Sequence, residues 1–195
     1  TPVVIMGHLA PFCSNFPNVE TDDILGSYNA TKHLLELGHR RIAYFSGQLA
    51  SPFAQERYEG YRRALREFKL EPDDKLIFNA GTTIDEGAKA ALQLLQENPE
   101  VTAIQAFNDL VAIGAANVLL DQGLKIPQQI SIVGFGNILT AEHFRVPLTT
   151  VRQPKARLGV TAMESMMKLL RGEQPESRRL PAEIIIRKST CAPCA

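Results

Sequence analysis

The residues in this chain best equipped for chemistry are few and scattered. Cys191-Ala192-Pro193-Cys194 has the spacing of a redox pair, but a reactive pair of that kind opens a helix whose N-terminus stabilises the thiolate, and here only Ala195 follows. The expectation is a tail that carries two thiols without redox chemistry. With Cys13 there are three cysteines, too few for a disulfide scaffold. His8, His33, His39 and His143 show no ligand spacing with the cysteines or with one another, so neither a metal nor a cofactor is expected.

Val133-Gly134-Phe135-Gly136-Asn137 raises the question of a phosphate-cradling loop. A dinucleotide fingerprint needs a third glycine where Leu139 stands, and a Walker loop needs a Gly-Lys-Ser/Thr that is absent. The stretch therefore reads as a turn at the end of a strand. Arg57 is more informative. An arginine near a helix N-terminus opposes the helix dipole, so it needs a use, either a surface acid such as Glu56 or Glu59 or a polar ligand. Asn108-Asp109 precedes a helical stretch and serves as its cap, with a cleft-facing role open to either residue. Ser46, Ser51 and the histidines form no nucleophile-and-base arrangement, so an enzyme is not expected.

The elements that would position these residues alternate. VVIM is a strand candidate, followed by a polar connection. A helix runs from Asp22-Asp23, read as cap and first-turn charge, to Gly38. RRIAYFSG is a strand, 52–69 an amphipathic helix, KLIF a strand, and Thr83 to Glu86 a capping box opening the next helix. TAIQAF, ISIVG, LTTV and AEIIIR are further strands, with helices over 109–122, 140–144 and from Pro154 to Gly172. Such an order predicts an α/β fold with a parallel sheet covered on both faces, and ligand sites in such sheets lie beyond the carboxyl ends of the strands. That rule selects Gly7-His8, Ser46 to Arg57, Phe107-Asn108-Asp109 and Gly136-Asn137.

At 195 residues, 45% hydrophobic and 22% charged, the chain is ordinary globular material. Its net charge of zero leaves no electrostatic footprint for gripping nucleic acid directly. The apolar run from Leu110 to Leu120 is too short to span a bilayer, and no leader opens the chain, so a cytoplasmic protein without membrane contact is expected.

Taken in order and spacing, HLLELGHRRIAYFSG, ERYEGYRRAL, AFNDLVAIGAANVLLDQGLKIPQQISIVGF, VPLTTVRQP, LLRGE and IIIRKST resemble the LacI/GalR family of bacterial transcription regulators, over essentially the whole chain. The resemblance implies an effector-binding core like that of periplasmic sugar-binding proteins: two doubly wound parallel-sheet subdomains joined by three crossover strands, near Val19 to Asp22, near Gln153 and near Leu180 to Glu183. Residues 1–20 and 153–181 would then form a partial first subdomain, and 21–152 with 182–195 the second. The family's helix-turn-helix head and about half of its first subdomain would be missing, making this chain a fragment. Implied partners are a small-molecule effector, a second copy in a homodimer, and operator DNA through the missing head alone. Dimer contacts would involve the helix after Asn108 and the turn from Ile138 to Phe144, with Ala112, Ala115 and Ala116 suiting either that interface or the sheet.

Carried over by residue, Arg57 and Asn108 match effector-contacting positions and Ser51 lies in a loop that often reaches the ligand. Phe107 is a candidate stacking face, and Gly136, Asn137, Gly7 and His8 line the strand ends. Two departures stand out: Gly136 and Gly7-His8 occupy places where the family commonly has sugar-gripping aspartates. Each lost charge-assisted acceptor is worth on the order of 1.5–3 kcal/mol, and Arg57 without competing carboxylates would suit a sugar acid or sugar phosphate. A sugar-binding transport receptor, and an enzyme on the same fold, are the alternative readings.

Overall fold

The computed structural model describes residues 1–8 and 15–194; Cys13 lies outside them. Strands β1 (Ile5–Met6) and β2 (Asn18–Asp22) lead into helix α1 (Asp23–Glu36), followed by β3 (Ile42–Ser46) and α2 (Pro52–Glu67). After a short 3-10 turn come β4 (Ile77–Asn79), α3 (Ile84–Glu97), β5 (Ala103–Ala106), α4 (Asp109–Asp121), β6 (Ser131–Phe135) and α5 (Leu139–His143). The chain ends through β7 (Thr149–Arg152), α6 (Lys155–Leu170), β8 (Arg178–Pro181) and β9 (Glu183–Ile185).

Two sheets result. The smaller has the order β1-β2-β8 and is parallel throughout; the larger has the order β4-β3-β5-β6-β7-β9. In the larger sheet every pairing is parallel except β7 with β9, which is antiparallel, so the expectation of a wholly parallel sheet holds up to its last strand. The chain passes between the sheets three times: from β2 to α1, from β7 to α6, and from β8 to β9. β2 (NVETD) and β8 (RRLP) have no apolar alternation, so residue pattern alone marks no strand at either.

Period-two alternation places the core. In β3, Ala43 and Phe45 join the cluster under α3 and α4, while Ile42 and Tyr44 join the one under α1 and α2. The helices are paired by glycines. Gly87 and Gly114 bring α3 and α4 into backbone contact, since a Cβ on either would overlap a carbonyl of the other helix, Val111 O and Ile84 O respectively. Ala112, Ala115 and Ala116 are buried in this core, so the small-residue face of α4 packs within the chain and is not free for a partner.

At the amino-terminal edge of the larger sheet His39 is buried, with Nδ1 2.9 Å from Thr102 Oγ1 and Nε2 donating to the Cys191 carbonyl at 2.9 Å. Burial pushes its pKa down, and that of His33 as well. The folded protein thus stays neutral at His39 where the unfolded chain, titrating at 6.5, takes up a proton. Stability is expected to fall as pH drops from neutrality through 6.5 toward the lower folded pKa. Urea denaturation across that range should show a sloping midpoint, and His39→Gln should flatten part of the slope, His33 supplying the remainder.

Candidate functional site

The carboxyl ends of β3, β5 and β6 converge on Arg57. Ser51 caps α2, accepting from the Ala54 amide, and the helix carries Arg57 inward to 8% exposure. Its Nε and Nη2 donate to Asp23 Oδ2 at 3.2 and 3.1 Å, and Nη1 donates to the Phe107 carbonyl at 2.7 Å. The guanidinium lies over the Phe135 ring at 3.7 Å and the Phe107 ring at 4.6 Å. Asp23 is fully buried. Burial raises its pKa, and Arg57 works against that rise. A desolvated arginine so enclosed has its charge matched inside the protein.

Two expectations change here. Arg57 has a competing carboxylate, Asp23, because the cap of α1 is Asp22 alone and the second aspartate turns into the interior. Adjacent acids at a helix start look alike in sequence, and only the packing of α1 on α2 separates them. Phe107 is 9% exposed, and an added Cβ at Gly47 would stand 2.9 Å from its ring. With Gly47 and Arg57 packed on it, the ring leaves little face for a ligand to stack on. Phe53 is the more available aromatic: it is 40% exposed and meets His8 edge-on at 4.2 Å. Sequence pattern offered no signal for it beyond its place at the start of α2, in the stretch after β3.

His8 and Gly7, which follows β1 with φ of +106°, face α2. His8 Nε2 approaches Glu56 Oε2 at 2.9 Å, but without hydrogen-bond geometry, and both atoms are buried with no partner among the described residues. Glu56 Oε1 takes a bond from Arg179 Nη2 at 2.8 Å, and the same Nη2 donates to Glu20 Oε1 at 2.7 Å. Glu56 belongs to α2 of the larger unit and Arg179 and Glu20 to the smaller sheet, so this cluster bridges the two.

Asn108 caps α4: its Oδ1 accepts from the Val111 amide at 2.8 Å and its Nδ2 donates to Thr82 O at 2.9 Å. Asp109, read from sequence as a helix-start residue, is buried and does more. Its carboxylate accepts from Thr150 Oγ1 and, at 2.9 Å, from the Ile138 amide, so it ties β7 and the turn after β6 to α4. Burial raises its pKa, against those two bonds. Gly136 (φ +129°) and Asn137 (φ +48°) make that turn, and Asn137 Oδ1 accepts from Arg187 at 2.8 Å. The turn opens onto a groove of about 420 Å³ lined also by Arg152, Gln153, Lys155 and Arg157. Gly7, His8, Arg57 and Phe107 thus form one cluster with Asp23, Phe53 and Glu56, Ser51 caps the helix that carries Arg57, and the turn of Gly136 and Asn137 lies beside Asp109.

Two α/β units linked by three passages of the chain, with charged side chains meeting between them, define a ligand-binding domain of the periplasmic-binding-protein type. The periplasmic binding protein-like domain family matches residues 31–190. The HTH-type transcriptional repressor PurR of Vibrio atlanticus (strain LGP32) is 38% identical over 177 residues, covering 91% of this chain and 53% of that protein. A transcriptional regulator CelR–cellobiose complex superposes with a TM-score of 0.87 at 33% identity, over 95% of this chain and 58% of that one. A sugar-binding transcriptional regulator of the LacI family from Escherichia coli, complexed with phosphate, gives 0.90 at 30% identity, over 98% and 69%. The chain belongs to the LacI/GalR family and forms its effector-binding domain. It spans about half the length of the curated repressors it matches.

Proposed function

We propose that this chain is the effector-binding and dimerisation core of a cytoplasmic bacterial transcriptional repressor, and not an enzyme. Residues 1–20 and 153–181 form part of one subdomain, and 21–152 with 182–195 the other. A small ligand held between them sets their relative placement, and a helix-turn-helix head beyond this chain reads operator DNA accordingly. The observation that carries this reading is Glu56, set between His8 and Arg179 so that one side chain links both units. Such a contact differs in energy between open and closed arrangements, and a ligand regulates only by favouring one over the other.

Arg57, Ser51, Asn108, Phe107, Gly7, His8, Gly136 and Asn137 border the cleft, with Phe53 as the stacking face. A neutral, hydroxyl-rich ligand fits better than an anionic one, because Asp23 already matches the charge of Arg57. Likeness to regulators over nearly the whole chain favours this reading over a transport receptor.

Calorimetric titration with cellobiose, ribose and their phosphates, followed by small-angle scattering, tests it. Neutral sugar is expected to bind and shrink the radius of gyration, and Glu56→Gln to weaken binding several-fold with the fold intact. Turnover of any of these compounds, or binding with no change in shape, would defeat the proposal.

A further inference from the structure

The two thiols near the C-terminus have no part in the effector-binding reading, and their setting carries an inference independent of it. The segment from Ser189 to Cys194 is docked along the amino-terminal edge of the larger sheet. Ser189 Oγ donates to Ile132 O at 2.6 Å and accepts from the Thr149 amide at 2.8 Å. The Cys191 amide donates to Ser131 Oγ at 3.1 Å, and its carbonyl accepts from His39 Nε2. Pro193 packs on Gly38, where an added Cβ would stand 3.6 Å from the proline ring. This docking sets both cysteines over one dipeptide. Cys191 Sγ donates toward Pro127 O at 3.3 Å and Ala192 O at 3.1 Å, and Cys194 Sγ donates to Gln128 O at 2.9 Å.

Cys191 is half-buried and Cys194 exposed. Burial, and then the neighbouring Cys194, push the Cys191 thiol up. No helix begins at the pair to stabilise a thiolate, so it lacks the setting of a redox catalyst. Among the described residues no group of three or more His, Cys, Asp or Glu could hold a metal ion. What remains is a docked, accessible dithiol with short spacing.

We propose that Cys191 and Cys194 are a modification site that closes into an intramolecular disulfide when the protein meets a small-molecule disulfide such as oxidised glutathione. The thiolate of the exposed Cys194 attacks one sulfur of the oxidant, forming a mixed disulfide and expelling one glutathione thiolate. The Cys191 thiolate then attacks the Cys194 sulfur and expels the second glutathione. Two protein thiols are oxidised, one glutathione disulfide is reduced to two thiols, and the two protons pass to the glutathione thiolates. Both S–H bonds to the 127–128 carbonyls are given up as the sulfurs close to about 2.05 Å. The pair sits at the edge of the sheet opposite the Arg57 cluster, so closure leaves effector binding unchanged.

The test uses the whole chain in a Cys13→Ser background, incubated with oxidised glutathione, quenched with an alkylating agent and weighed intact. The expected product has lost two hydrogens, carries no glutathione, and has neither cysteine alkylated. Cys191→Ser is expected to stop at a single glutathione adduct on Cys194, with circular dichroism confirming that the variant is folded. Two glutathione adducts, or two alkylated cysteines after prolonged incubation, would overturn the proposal.

Discussion

Arg57→Met is expected to lower the unfolding free energy by on the order of 3–5 kcal/mol, because it strands a buried carboxylate. Asp23 has 0% exposure, and Arg57 supplies both hydrogen bonds to its Oδ2, while Oδ1 has no partner among the described residues. The accompanying double variant decides the cause. Replacing both members removes the stranded charge, so Asp23→Asn with Arg57→Met should recover a large part of the loss. A double variant no more stable than Arg57→Met would show that the arginine matters for packing on Phe135 and not for the pair.

The pH dependence supplies a second check. Burial already raises the Asp23 pKa, and removing the arginine removes what opposes that rise. A carboxyl whose folded pKa lies above its unfolded value of 3.8 gives a fold that gains stability as pH falls through the raised pKa toward 3.8. The deficit of Arg57→Met should therefore shrink in mildly acidic urea titrations and be largest at neutrality. His39 and His33 act oppositely in part of this range, so the comparison is of variant with parent at each pH.

Gly60→Ala carries the other large effect. Gly60 lies in α2, where an added Cβ would overlap Ile24 O and stand 2.8 Å from both Ser27 Cβ and Tyr28 N of α1. Backbone cannot swing aside as a side-chain tip does, so the two helices must separate, at a cost of about 1–3 kcal/mol. The displacement also reaches the Arg57 cluster proposed to border the ligand, since Asp23 begins α1, Arg57 rides on α2, and Ser27 Oγ donates to the Arg57 carbonyl. Loss of stability and weaker effector binding are expected together. Gly159→Ala is the control: it lies in α6 with nothing within 4 Å of an added Cβ among the described residues, and there alanine should be neutral or stabilise by up to about 1 kcal/mol. Equal effects at the two positions would refute the helix-contact account.

Much of the fold was legible because it is periodic. The apolar alternation of IAYFS and SIVGF, the capping box at Thr83 and Glu86, and glycines after helices all led to elements found within a few residues of their expected bounds. Strands β2 and β8 lacked that signal. They are short, polar segments whose backbones pair with each other, and pairing between residues as distant as Glu20 and Arg179 leaves no local mark. The site divides in the same way. Arg57, Asn108 and the strand-end glycines were expected at the site from their positions after strands, while Asp23 and Glu56, which the structure sets around Arg57 and His8, gave no such local signal.

The sequence by itself determined the alternation of strands and helices and the resemblance to a regulator family, because each is written in local spacing. Tertiary structure alone decided which acid answers Arg57. Asp22 and Asp23 are neighbours of the same type, and only the close approach of α1 to α2 at Gly60 turns one into a helix cap and the other into a buried counter-ion. It also decided that Glu56 joins the two units and that two tail cysteines lie over one dipeptide, since both depend on where distant backbone comes to rest.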